Sequence, residues 1–332
     1  MRVLVTGGAG FIGSHLAERL LAENNDVVCL DNFNDFYDPG LKHRNIEKAF
    51  WSNRYTLISG DILDEELLDK VFAEPFDVVA HLAAYAGVRP SIEQPEIYEK
   101  VNIRGTMNLL ERCRRFNVDK FVFASSSSVY GGRREVPFCE TDDISRPISP
   151  YAASKVAGEA LCYTYHHLFN IAVHALRFFT VYGPRQRPEM AIHLFARNMI
   201  ERETITLFGD GGSSRDYTFI DDIIDGVVAS INHCEGYEII NLGGSKTTSL
   251  KQLVSLLSKR LDLEPKIEHT KDQPGDVPIT FADVSHAASL LGYEPKVGIE
   301  EGIDRFCDWL EDVKRRQDKE DSIETETQEK EE

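Results

Sequence analysis

Two side chains four positions apart, Tyr151 and Lys155, are the first candidates for chemistry in this 332-residue chain. They lie in Pro150-Tyr151-Ala152-Ala153-Ser154-Lys155, where a helix is expected to begin, and positions i and i+4 share one helix face. A phenol with a pKa of ~10 is a poor base at neutral pH. A nearby ammonium favours the phenolate, and a second cation would favour it further. Bringing the pKa towards ~7 takes about 4 kcal/mol at ~1.36 kcal/mol per unit, which two cations in a partly dry site can supply. This spacing arises readily by chance, so the pair gains meaning only from its surroundings.

Those surroundings include Ser125-Ser126-Ser127-Ser128-Val129-Tyr130-Gly131, which closes an apolar run of strand length. At the carboxyl end of a central parallel strand such hydroxyls face a ligand crevice; elsewhere they are a polar strand terminus. Near the start, Val3–Val5 leads into Gly7-Gly8-Ala9-Gly10-Phe11-Ile12-Gly13, and a helical pattern follows. The G-x-x-G-x-x-G spacing permits a tight turn, a close approach of backbone to a pyrophosphate, and a helix N-terminus to receive its charge. A structural turn uses the same glycines, so context decides. Asp31 ends the second strand, where a carboxylate accepts hydrogen bonds from both adenosine ribose hydroxyls and repels a 2′-phosphate. Asn32, Phe33 and Asn34 follow it with no Arg or Lys, which favours NAD over NADP. Asp61, after the third strand and next to Ile62, is placed to reach the adenine edge. A bound nicotinamide ring would be the second cation beside Tyr151.

Strand-length apolar runs at Val3–Val5, Val27–Leu30, Thr56–Ile58, Val78–Leu82 and Phe121–Ala124 alternate with amphipathic stretches at Ile12–Leu21, Glu65–Phe72 and Ile97–Phe116. Another strand, Ala172–Leu176, follows the helix that begins near Tyr151. The pattern predicts an α/β fold, a Rossmann-like doubly wound parallel sheet with helices on both faces. Past Arg177 the rhythm breaks into Gly- and Pro-bearing loops with helical patterns at Leu250–Leu261 and Ile299–Lys314. We expect a cofactor domain over residues 1–177, later segments returning to it, and a smaller substrate lobe over 178–312. From Lys319 to Glu332 there are seven acidic residues, two lysines and one apolar residue, which predicts a solvated, disordered tail over 313–332.

Asp and Glu number 55 against 37 Lys and Arg, a formal net charge of −18 that speaks against a general nucleic-acid binder. No apolar run approaches the ~18 residues that span a bilayer, and no basic-then-apolar leader opens the chain. The six cysteines are scattered without partners at metal-ligand spacing, so no metal site is expected and a reducing cytoplasm is the default.

In order, the glycine turn, Asp31, His81-Leu82-Ala83-Ala84, Asn102, the serine run and Tyr151/Lys155 resemble the extended short-chain dehydrogenases. Within them the chain is most similar to nucleotide-sugar 4-epimerases, above all those acting on UDP-glucuronate, over residues 1–312. The resemblance implies that Tyr151 is the base, that Lys155 lowers its pKa and holds the nicotinamide ribose, and that Ser126 shares the substrate proton. It also implies that Phe11, Ile12, Leu82, Ala83, Ala84, Asn102 and Ser125 line the cofactor. Arg215 would bind the diphosphate, Asp276 the uridine ribose and Phe208 the uracil. A homodimer through the helices near Ile97–Phe116 and Tyr151–Phe169 is a further implication.

Relatives that dehydrate or decarboxylate a nucleotide sugar carry an acid just before the Val-Tyr-Gly; here Ser127 and Ser128 stand there. Reversible hydride transfer at C4 of a UDP-sugar remains. Ala86-Gly87-Val88-Arg89, Thr180-Val181-Tyr182-Gly183-Pro184-Arg185-Gln186-Arg187-Pro188 and Gln273-Pro274-Gly275-Asp276-Val277 resemble the glucuronate enzymes. Arg89, Arg187, Ser127, Ser128 and Thr180 can receive a C6 carboxylate, Arg through its fork. UDP-glucose or UDP-N-acetylglucosamine is the nearer alternative substrate, and a non-catalytic NAD-binding sensor the remoter reading.

Overall fold

The computed structural model describes residues 1–271 and 277–331, with side chains through residue 316. Twelve strands are described: β1 Arg2–Thr6, β2 Asp26–Asp31, β3 Tyr55–Ser59, β4 Val78–His81, β5 Lys120–Ser126, β6 Ala172–Phe178, β7 Thr180–Tyr182, β8 Thr204–Phe208, β9 Ser214–Phe219, β10 Tyr237–Leu242, β11 Thr247–Ser249 and β12 Lys266–Thr270. Seven form one sheet in the order β10-β6-β5-β4-β1-β2-β3, and every pairing in it is parallel. The doubly wound α/β expectation is met.

Alternation explains why this sheet is covered twice. Val3 and Val5 join the apolar cluster on one face, while Leu4 between them joins the cluster on the other. The strand order reverses between β1 and β4, and a crevice opens there beyond the carboxyl ends of the strands. The glycine turn leaves β1 on one side of it, and Leu82-Ala83-Ala84 leaves β4 on the other.

Two glycines are required sterically at that crevice. Gly7 has φ +69°, and a Cβ on it would lie 2.7 Å from the backbone nitrogen of Ala83. A Cβ on Gly13 would lie 2.2 Å from the Gly7 carbonyl oxygen, so the helix Phe11–Ala22 could not seat against the turn.

The helix Pro150–Phe169 is fixed at both ends. Ser149 caps it by accepting from the Ala152 N–H at 3.1 Å, Pro150 opens it, and Asn170 closes it in a left-handed conformation. Tyr151 is therefore held in the first turn. The stretch Ile97–Phe116 is less regular than its amphipathic pattern suggests. A short helix, Pro95–Tyr98, runs into a π-helical segment, Glu99–Gly105, before the α-helix Thr106–Phe116. The widened turn carries Asn102, whose side chain bonds the Tyr85 backbone in both directions.

Past Arg177, β7, β9 and β11 make a three-stranded sheet and β8 pairs with β12, while β10 adds to the edge of the main sheet. The last helix is continuous from Ile299 to Glu331, so the acidic tail, expected to be disordered, has helical backbone. Glu, Lys and Gln are good helix formers, which disorder by composition does not weigh. No helix among the described residues is long and apolar enough to cross a membrane.

Candidate active site

One cleft along the carboxyl ends of β1, β4 and β5 gathers most of the expected residues. Its wall includes Gly7, Gly10, Phe11, Ile12, Gly13, Asp31, Asn32, Asn34, Asp61, Ile62, Leu82, Ala83 and Ala84, then Ser125, Ser126, Ser127, Ser128, Tyr151, Lys155, Thr180 and Arg187.

At the glycine end Asp31 is buried, its Oδ2 accepting from the Ala9 N–H at 3.0 Å and its Oδ1 from the Phe33 N–H at 2.9 Å. Each oxygen keeps a lone pair for a ribose hydroxyl. Asn32 donates to Asp61 Oδ2 at 2.8 Å, and Asp61 Oδ1 accepts from the Leu63 N–H at 2.8 Å. With the glycine cradle, this donor and acceptor set fits an adenine dinucleotide. Lys42 changes one detail of the sequence reading. No cation follows Asp31 along the chain, but the helix Pro39–Ile46 brings the Lys42 ammonium into the same wall, within electrostatic reach of Asp31. Two of its three donors are spent on Asn34, at the carbonyl (2.8 Å) and at Oδ1 (3.0 Å), so it bolts the loop down. Asp31→Ala should weaken NAD binding and relax discrimination against NADP, measured by titrating both cofactors into stripped protein. Unchanged NAD affinity would remove Asp31 from the site.

The catalytic candidates meet where β5 ends. Ser126 accepts from the Ser128 N–H at 3.2 Å, capping the short turn Ser127–Tyr130, and lines the cleft together with Tyr151. Burial raises the Tyr151 pKa, while the Ser126 hydroxyl and the Arg187 charge work against that rise. Lys155 stands 5.9 Å from the Tyr151 ring centre and donates to the Ala124 carbonyl at 2.7 Å. Burial pushes it down to about 8. Burial in the protein alone therefore keeps the phenol protonated. Asn102 stands behind the wall, fully buried and spent on the Tyr85 backbone and on Ser154 Oγ.

Beyond Ser126 the wall turns polar. Ser127, Ser128, Thr180 and Arg187 face one space, and Arg187 Nε donates to Glu189 at 2.6 Å. The family model described as GDP-mannose 4,6 dehydratase matches residues 4–306. A UDP-glucuronate 4-epimerase from Thermodesulfobacterium geofontis is 44% identical over 309 residues, covering 92% of this chain and 95% of its own. The chain belongs to the nucleotide-sugar 4-epimerase family.

Solved members of this family share its shape. UDP-glucuronic acid 4-epimerase from Bacillus cereus, crystallised with UDP-glucuronic acid and NAD, superposes with a TM-score of 0.88 at 40% identity, over 94% of this chain and 100% of that one. UDP-glucose 4-epimerase from Thermotoga maritima, with UDP-glucose, gives 0.87 at 32% identity over 94% and 99%. Shape alone thus does not separate the two sugars within the epimerases.

The remaining expected substrate residues are Arg89, Phe208, Arg215 and Asp276. The Arg89 guanidinium lies 4.3 Å from the centre of the Phe208 ring, so these two residues stack on each other. Arg215, in β9, donates to the Ser214 carbonyl at 3.0 Å. Asp276 lies outside the described residues. Sequence reasoning missed Phe36, Tyr37, Phe178, Phe179, Val181 and Met190, which give the cleft its apolar and aromatic lining. The run Phe178–Val181 had a usable signal, since it prolongs a buried strand at its carboxyl end.

Proposed function

We propose that this chain interconverts UDP-glucuronate and UDP-galacturonate by NAD-dependent epimerisation at C4. The observation that carries the proposal is the Tyr151–Ser126 hydroxyl pair in one cleft with a dinucleotide cradle and with Arg187, and with no acid before Val129. The glucuronate relatives support the choice of sugar. Gly7, Gly13, Asp31, Asn32 and Asp61 would hold NAD, which supplies a reversible hydride acceptor when bound. Tyr151 takes the proton of the C4 hydroxyl, Ser126 shares it, and Tyr151 returns it after the 4-keto sugar turns over. Ser127, Ser128, Thr180 and Arg187 hold the carboxylate end.

Purified protein incubated with UDP-glucuronate, with no added oxidant, should yield UDP-galacturonate while carrying NAD(H) through purification. Steady accumulation of NADH, or dependence on NADP, would rule the epimerase cycle out.

The reading extends to division of labour and assembly. Residues 1–177 with β10 serve the cofactor and 178–312 mainly the sugar nucleotide. The helix Pro150–Phe169 exposes Tyr163, Leu168 and Phe169. Such an apolar strip on a soluble enzyme supports a homodimer through this helix and Thr106–Phe116. Leu168→Glu should turn a dimer into a monomer in sedimentation; a wild-type monomer would end that assignment. Six free thiols suit a reducing cytoplasm.

A further inference from the structure

Behind the catalytic groups lies a buried ionic network that the proton-transfer scheme does not use. Glu159 sits four residues after Lys155 on the same helix face, and both its oxygens are engaged. Its Oε1 accepts from Ser125 Oγ at 2.5 Å and from Arg177 Nε at 2.9 Å, and its Oε2 accepts from Arg177 Nη2 at 2.8 Å. Side-chain exposure is 3% for Glu159 and 1% for Arg177, so the pair is shielded from solvent. Arg177 reaches on to the Tyr130 hydroxyl at 3.0 Å, and that hydroxyl donates to Asn241 Oδ1 at 2.6 Å. Asn241 then donates to the Phe138 and Asp283 carbonyls.

This chain of bonds joins the elements that must stay in register for catalysis. Ser125 immediately precedes Ser126, and Tyr130 ends the turn that carries Ser127 and Ser128. We propose that Glu159 is a positioning residue for the reaction: its fork with Arg177 and its bond to Ser125 lock the catalytic helix against the end of β5, and its charge keeps Lys155 cationic.

The charge argument follows from what surrounds Lys155. Tyr151, Glu159 and Cys162 face it from its own helix, His81 from β4, and the Phe123 ring and Ala124 carbonyl from β5. Burial drives His81 down to about 3, so it is neutral, and holds the Cys162 thiol well above its usual range, so it is neutral too. Glu159 is left as the anion that opposes the desolvation of Lys155, although Arg177 balances part of it. A fully apolar substitute would pack as well, but it would leave a buried ammonium with no anion facing it.

The inference rests on the assignment of Tyr151 and Lys155, so Tyr151→Phe is the control. Glu159→Gln keeps the shape and an acceptor for Ser125 while removing the charge. In the holoenzyme with UDP-glucuronate, its kcat should fall only about two-fold at neutral pH and about ten-fold above the alkaline limb, as a shift of about one unit in Lys155 requires. The alkaline limb of the kcat profile should move down by about one pH unit, because Lys155 loses its proton earlier. KM should stay within about three-fold of wild type. Should this variant not fold, Glu159→Gln with Arg177→Met removes both charges together; the limb should still move down, by less. Glu159→Asp should restore part of the rate. A profile superimposable on wild type, or an effect confined to KM, would overturn the proposal while leaving Tyr151 in place. A fully active Tyr151→Phe would instead remove the assignment beneath it.

Discussion

Tyr151→Phe should lower turnover by about 10²–10⁴ while leaving the fold and cofactor binding intact. At ~1.36 kcal/mol per decade this is about 2.7–5.5 kcal/mol of transition-state stabilisation from one oxygen atom. The fold should survive because the ring keeps its edge-on packing against Tyr98, with centres 6.1 Å apart, and only one hydroxyl is lost. Stopped-flow or coupled assays of epimerisation, with circular dichroism as the control for folding, decide the matter. Near wild-type turnover would place the base elsewhere.

The direction of the pH effect also follows. Burial holds the phenol above its ordinary value in the protein alone, and cations favour its ionised form. Removing a cation therefore moves the acidic limb of the rate profile to higher pH. Arg187→Ala should do this directly. Lys155→Ala should do so as well, because an ammonium bonded to the neutral Ala124 carbonyl keeps its charge.

The parts legible in sequence are those with a local physical signature. Glu65–Phe72 and Leu250–Leu261 are found at their expected bounds because each begins at a capping side chain, Asp64 in one case and the Ser249–Gln252 box in the other. The glycine turn and Asp31 were readable because each is fixed to the end of a strand, and strand ends converge at the crevice. Lys42 was missed because it arrives on a separate helix, eleven positions past Asp31, where reading along the chain does not look. The stacking of Arg89 on Phe208 was not legible, for the converse reason. Residue type gave each a plausible ligand, but nothing local shows that two long side chains leaving different loops will stack on each other. The π-helical turn at Asn102 was hidden, and the bonds that Asn102 makes to the Tyr85 backbone are long-range.

The sugar preference has the sharpest chemical test. Oxidising glucuronate at C4 puts a ketone one carbon from C5, which bears the carboxylate. That is a β-keto acid, and it loses CO₂ when the C5–C6 bond aligns with the carbonyl π-system. An epimerase must keep that bond near the carbonyl plane and withhold any acid that would protonate the enolate. Ser127, Ser128 and Thr180 present hydroxyl donors on the cleft wall, Arg187 presents charge, and Ser128 occupies the position before Val129. Glu189, at 2.6 Å from Arg187 Nε, already holds that guanidinium over the Phe36 ring, so a substrate carboxylate must share or displace it. UDP-glucuronate and UDP-galacturonate should then interconvert far faster than UDP-glucose and UDP-galactose. Arg187→Ala should cost about 1.5–3 kcal/mol against the acid, the range for a charge-assisted bond. It should cost little against the neutral sugar once both are compared at a pH where Tyr151 is ionised. Ser127→Ala or Ser128→Ala should release more CO₂ per turnover, because a loosened carboxylate reaches the aligned geometry. Equal turnover of acid and neutral sugars, with Arg187→Ala slowing both alike, would remove the glucuronate preference and leave a UDP-sugar 4-epimerase whose selectivity is set by other residues.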